Sequence, residues 1–133
     1  MYTGVHPSVT LTHNLGRDAI AYSGQRVTFT CTVNIVVNRG IVITWRSKDY
    51  IGRNVLRVTS ENPVDTTVNR STTVVMLVNS TRNSDGLLTV VTELQLVASA
   101  SYPESQLSCR ANGTRANITT LNFSTSWMPG NAH

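Results

Sequence analysis

Ten arginines, one lysine (Lys48), two cysteines (Cys31 and Cys109) and three histidines (His6, His13 and His133) hold most of the chemistry open to this 133-residue chain. An arginine fork can grip a carboxylate or sulfate through two parallel hydrogen bonds, which a lysine ammonium cannot do. Two cysteines are too few for a thiolate zinc site, and the histidines stand apart from both, so neither a metal nor a cofactor is expected. A hydrolytic triad needs a histidine beside a nucleophile and an orienting acid. His6 and His13 fall on or beside the first apolar stretch and His133 is terminal, so no triad can be drawn and the chain is not expected to be an enzyme. A glycine-rich phosphate loop, an acidic calcium loop and an Arg-Gly-Asp tripeptide are all missing.

The elements that must position these residues are strands. Charged residues make up only 14% of the chain, against roughly 25% in ordinary soluble domains. The missing polarity comes from 32 serines and threonines. Much of it alternates with apolar residues at a period of two, which marks strands with one face on a core and the other in water. Val9 and Leu11 alternate with Ser8, Thr10 and Thr12; Val27, Phe29, Cys31 and Val33 alternate with Thr28, Thr30 and Thr32. Ile41, Ile43 and Trp45 follow, then Leu88, Val90, Leu94 and Leu96, then Leu107, Cys109 and Ala111, and last Leu121 and Phe123. Turn signals separate them at Ser23-Gly24, Asn38-Arg39-Gly40, Asn62-Pro63, Ser84-Asp85-Gly86, Tyr102-Pro103 and Asn112-Gly113. Many short strands so punctuated predict an all-β sandwich or barrel.

Two stretches depart from the pattern. Asp49 to Val68 is polar and irregular and predicts a short strand near Val55–Val58 between loops. Val74 to Val78 is continuously apolar. It is expected to be a strand covered on both sides rather than an edge that pairs with another molecule, because open apolar edges invite aggregation.

Cys31, Trp45 and Cys109 share the apolar faces of their strands, and the tryptophan follows the first cysteine by fourteen residues. On these residues the chain resembles the immunoglobulin superfamily. Gly24-Gln25-Arg26-Val27-Thr28-Phe29-Thr30-Cys31 and Ile43-Thr44-Trp45 look like strands B and C of that family. Thr92 to Leu96 and Leu107-Ser108-Cys109-Arg110-Ala111-Asn112 look like strands E and F. The resemblance implies an immunoglobulin-like antiparallel β-sandwich with Greek-key connections, and one inter-sheet disulfide from Cys31 to Cys109 packed against Trp45. The residues alone leave a second reading of the pair as two buried thiols.

The family's usual tyrosine two residues before the second cysteine is Leu107 here, so the corner hydrogen bond of that hydroxyl must be missing. Leu-Ser-Cys-Arg-Ala is closer to C2-type domains of adhesion proteins. The 42 residues between Trp45 and Leu88, however, leave room for the extra strands of variable-type domains, so the subtype stays open.

With strands B and E in one sheet and C and F in the other, as the resemblance implies, strand parity separates two surfaces. One sheet turns Thr28, Thr30, Thr32, Thr89, Val91, Glu93 and Gln95 outward, a nearly uncharged face. The other carries Thr44, Arg46, Ser108 and Arg110, with Lys48, Arg53, Arg57 and Arg115 nearby; these six basic residues, Arg46 to Arg115, are the candidate ligand face. An ordinary solvated face, with arginine stems covering apolar surface, is the competing reading. Five Asn-x-Ser/Thr sequons, at Asn69, Asn79, Asn112, Asn117 and Asn122, are candidate N-glycosylation sites.

Residues 8–126 are expected to form a single domain, with 1–7 as leader residues and 127–133 as a tail or a linker to a following domain. Trp127 either packs on such a domain or belongs to the tail. The net charge of +4 permits an acidic partner. Nucleic acid is not expected, because the basic residues are dispersed along the chain and aromatics are only 6%. No apolar run approaches the ~18 residues of a membrane span.

The resemblance implies an extracellular, cell-surface recognition module of a receptor or adhesion protein, binding a protein ligand or a second copy through a sheet face or loops. Its rival is a glycosylated spacer domain in a multidomain receptor, such as a receptor tyrosine kinase, with no ligand contact of its own.

Overall fold

The computed structural model describes residues 8–36, 41–58, 68–70, 73–112 and 116–127. Among these residues ten strands form: β1 (Ser8–His13), β2 (Ile20–Tyr22), β3 (Arg26–Val36), β4 (Ile41–Ser47), β5 (Gly52–Val58), β6 (Val68–Arg70), β7 (Thr73–Arg82), β8 (Leu87–Val97), β9 (Glu104–Asn112) and β10 (Ala116–Ser126). They build two five-stranded sheets, β1-β3-β8-β7-β6 and β2-β10-β9-β4-β5. All pairs are antiparallel except β2 with β10.

The threonine-rich alternation of β3 is what fixes its orientation. Val27, Phe29, Cys31 and Val33 are buried, while Thr28, Thr30 and Thr32 are only half-buried on the outer face. A register slip of one residue would bring the threonines inside and push Phe29 and Cys31 out, so pairing with β8 is tightly specified. Opposite, Ile41, Ile43 and Trp45 of β4 and Leu107, Cys109 and Ala111 of β9 complete the core.

Cys31 and Cys109 are joined, with Cα atoms 6.4 Å apart across the two sheets. Their register neighbours reinforce the same layer. Trp45 pairs with Cys109, and Thr92 pairs with Cys31. Across the gap, the Trp45 indole Nε1–H donates to Thr92 Oγ1 at 3.0 Å. Thr92 is fully buried at an inward position among Val90 and Leu94. Its hydroxyl supplies the acceptor that a buried indole needs.

Three features go beyond the alternation pattern. The first segment changes sheets: after β1 pairs with β3, the chain crosses over and β2 lies parallel to β10. Ala19 sits at the crossing with φ 53°, in the left-handed region, and its carbonyl accepts from the Ser124 N–H at 2.9 Å. No periodic signal marks a three-residue strand.

Next, the run Val74–Val78 is not covered on both sides: Val75 is fully buried, Val74, Met76 and Leu77 are half-buried, and Val78 is 48% exposed. A register shift in β7 between Leu77 and Asn79 ejects Val78 from the pairing with β8, and β6 pairs only with Thr73–Val75. A bulge of this kind leaves one residue without a partner. Finally, Leu107 is buried and can make no corner bond, but Tyr50 makes one from elsewhere. Its hydroxyl accepts the Ser99 N–H, in the β8–β9 turn, at 3.1 Å. Its ring leans on Phe123 and Tyr102, with centroids 5.9 and 5.3 Å away.

The sequon at Asn69 and the side chains of Asn112 and Asn117 lie outside the described residues, as do Arg115 and residues 1–7 and 128–133. No helix among the described residues is long and apolar enough to cross a membrane.

Two outcomes follow for stability. Closing a loop between positions 78 apart stabilises by about 4 kcal/mol in the chain-entropy model. Cys31→Ser should therefore remove that amount in denaturant titration, and an unchanged unfolding midpoint would contradict it. Thr92→Val keeps the shape but strands the indole N–H, at a cost of about 1–3 kcal/mol. A Thr92→Val protein as stable as the parent would show that the hydrogen bond is immaterial.

Candidate functional site

Inward packing of Ile43, Trp45, Leu107 and Cys109 forces their neighbours onto the outer face of the β2-β10-β9-β4-β5 sheet. There the strands align side by side. Val55, Thr44, Arg110 and Ile118 form one row, and Arg53, Arg46, Ser108 and Thr120 form the next. Arg57 continues the face from β5, opposite Val42. Lys48 stands exposed in the turn after β4.

Arg46 and Arg53 are direct cross-strand partners, so their Cα atoms are about 5 Å apart. Arg110 is diagonal to Arg46, one row on, where long side chains still reach one another. All three are exposed. None is engaged by a carboxylate or a hydrogen-bond acceptor among the described residues. Two such charges about 6 Å apart repel by roughly 0.7 kcal/mol in water, and like charges directly opposite weaken a strand pair. The face thus holds a concentration of positive charge that the described chain does not neutralise.

Arg46 and Arg53 border a shallow open depression of about 750 Å³. Its floor and walls include Ser108, Thr120, Gln106 and Ile118, and its far end carries Lys48, Asp49 and Glu104. A smaller recess of about 220 Å³ adjoins it between Arg46, Arg53, Arg110, Thr44, Ser108 and Ile118. Glu104 is turned to the β10 side, where its Oε2 accepts from the Ser124 hydroxyl at 3.2 Å. Ile118 is 55% exposed beside Arg110 and offers an apolar contact among the charges. Chemically the surface can hold an extended anionic group by forked hydrogen bonds, with hydroxyls of Thr44, Ser108 and Thr120 between the forks.

Of the six basic residues expected on this face, the structure brings Arg46, Arg53 and Arg110 together, sets Lys48 at the rim and Arg57 one row beyond. Arg115 lies outside the described residues. The sequence reading passed over Ile118, Gln106 and Thr120. Extending the inward parity of Phe123 back along β10 would have turned Thr120 and Ile118 outward. On the opposite sheet Arg26 is exposed at the start of the Thr28–Thr30–Thr32 row. Thr28, Thr30, Thr32, Thr89, Val91, Glu93 and Gln95 are all half-buried there, and Glu93 is the one charge among them. Of the sequons with described side chains, Asn79 is exposed on β7 and Asn122 is exposed on β10. Among the described residues no group of three or more His, Cys, Asp or Glu could hold a metal ion.

No protein-family model and no curated protein matches this chain. Solved structures do. IgNAR antibody domain C3 superposes with a TM-score of 0.55 at 12% identity, covering 89% of this chain and 95% of that one. IgNAR antibody domain C1 gives 0.52 at 12% identity, over 86% and 90% of the two chains. RIG-5 IG1, solved as a homodimer, gives 0.50 at 18% identity, over 89% and 97%. With the two sheets, the disulfide between them and Trp45 packed in the same layer, these likenesses show that the chain has the fold of an immunoglobulin superfamily domain.

Proposed function

We propose that this domain is a non-catalytic extracellular recognition module of a cell-surface receptor or adhesion protein, and that it engages an acidic protein partner through the outer face of β10, β9, β4 and β5. The observation that carries the reading is the trio Arg46, Arg53 and Arg110, exposed, adjacent and without an acceptor among the described residues. Juxtaposed like charges cost stability, and an anionic partner turns that cost into affinity and orientation. The disulfide supports an oxidising compartment outside the cytosol.

A second copy of the chain fits this face less well. RIG-5 IG1 is a homodimer, but a two-fold contact is isologous and would set these arginines close to their own copies. The chain has seven carboxylates against eleven cationic side chains, too few to offer a matching acidic face. The spacer reading has its own support, because Asn79 and Asn122 are exposed on opposite sheets and could clothe both.

Poly-L-glutamate serves as a probe of the face. Arg46→Glu with Arg110→Glu, both exposed and outside the core, should weaken probe binding by about tenfold or more. This follows from the loss of two charge pairs of up to about 1 kcal/mol each and the added repulsion. Raising salt should weaken the parent in the same direction. A double variant that binds and sediments like the parent would refute the face and leave the spacer reading standing.

A further inference from the structure

We infer that Asn122 is an N-glycosylation site whose sugar governs access to the arginine face. The inference rests on the reading of that face as a binding surface. Asn122 is exposed on β10, and its register partner on β9 is Gln106, which borders the depression. Thr120, two residues back along the same strand face, borders it too. Residues two apart on a strand are about 7 Å apart. The attachment point is therefore on the shoulder of the depression, outside its floor.

The hydrogen bonding leaves the reactive atom available. Asn122 Oδ1 accepts from Gln106 Nε2 at 3.2 Å. That bond orients the amide and leaves Nδ2, the atom that carries sugar, with no partner among the described residues. Asn122-Phe123-Ser124 satisfies the acceptor pattern. The transfer takes an oligosaccharide from a polyprenyl-diphosphate donor. The bond from the anomeric carbon to the diphosphate oxygen breaks, a bond from that carbon to Asn122 Nδ2 forms, Nδ2 gives up one proton, and polyprenyl diphosphate leaves.

A branched sugar fixed at this shoulder overhangs Gln106 and Thr120 and narrows the approach to Arg46 and Arg53. Asn79 is the natural comparison, because it is exposed on the other sheet, pairing with Val91 of β8. A sugar there leaves the arginine face untouched. Occupancy at Asn122 thus separates two states of one domain, a shielded module and an open one.

The test is secretion of the full chain from a glycosylating host, with peptide mass mapping and poly-L-glutamate titration of the parent, N122Q, S124A and N79Q. S124A removes the sequon while retaining Asn122, and enzymatic deglycosylation of the folded parent covers any variant that is not secreted. The expected result is sugar on Asn122 in the parent and binding about fivefold or more tighter in N122Q, S124A and the deglycosylated parent, with N79Q unchanged. A bare Asn122 in the parent, or equal affinity in all of these proteins, overturns the inference while leaving the face intact. If none of them binds the probe, with or without sugar, the face reading fails and this inference fails with it.

Discussion

The structure depends on one layer of contacts across the gap between its sheets. Cys31 and Thr92 are partners in one sheet, Cys109 and Trp45 are partners in the other, and each residue of one pair is tied to one of the other. One tie is covalent, and the second is the indole–hydroxyl hydrogen bond. Around them the inward side chains Phe29, Ile43, Leu56, Leu94, Leu96 and Leu107 are excluded from water. A sandwich whose inner faces are aliphatic has many near-equivalent ways to slide. Two directional ties at one level select a single alignment of β3 and β8 over β4 and β9, and the remaining apolar rows pack in consequence.

That alignment also makes the surface. Once Trp45 and Cys109 must point inward, Arg46 and Arg110 have no choice but to point outward, and pairing of β4 with β5 sets Arg53 against Arg46. The basic face is thus a by-product of core registry that retains a local electrostatic penalty. Threonine, serine or glutamine would satisfy the outer positions without repulsion, as Thr28, Thr30 and Thr32 do on the other sheet. The other sheet has arginines too, Arg26, Arg70 and Arg82, but none is set against another, because their register partners are Val97, Thr73 and Leu88. The fold likeness says nothing of role, since fold and site are separable properties.

Compensation appears where the family pattern is broken. Leu107 fills the place of a tyrosine and contributes only packing. Tyr50, from the turn after β4, brings its hydroxyl to the β8–β9 turn instead, and its own carbonyl accepts from Thr73 Oγ1 at 3.2 Å. A backbone N–H in a half-buried turn needs an acceptor whichever strand supplies it. Tyr50 therefore links the β8–β9 turn, the start of β7 and the β10 residue Phe123, which stabilises the end of the sandwich where Glu104 and Asp49 lie.

The alternation of β3, β4, β8 and β9 was legible in the sequence because a half-buried strand writes its two faces at a period of two. Cys31, Trp45 and Cys109 on the inner face, and Arg46 and Arg110 on the outer, follow from parity and from nothing else. Parity is a property of one strand, however, and says nothing about which strands lie side by side. That Arg53 opposes Arg46, that Ile118 flanks Arg110, and that Asn122 overlooks the depression through Gln106 depend on inter-strand register, which only the folded chain decides. The same is true of Tyr50, whose partner Ser99 is 49 positions away, and of the bulge that ejects Val78. The sequence by itself determined which face each strand turns to the core. The tertiary structure decided which faces meet, because hydrogen-bonded register between distant segments is a cooperative property of the assembled sheets.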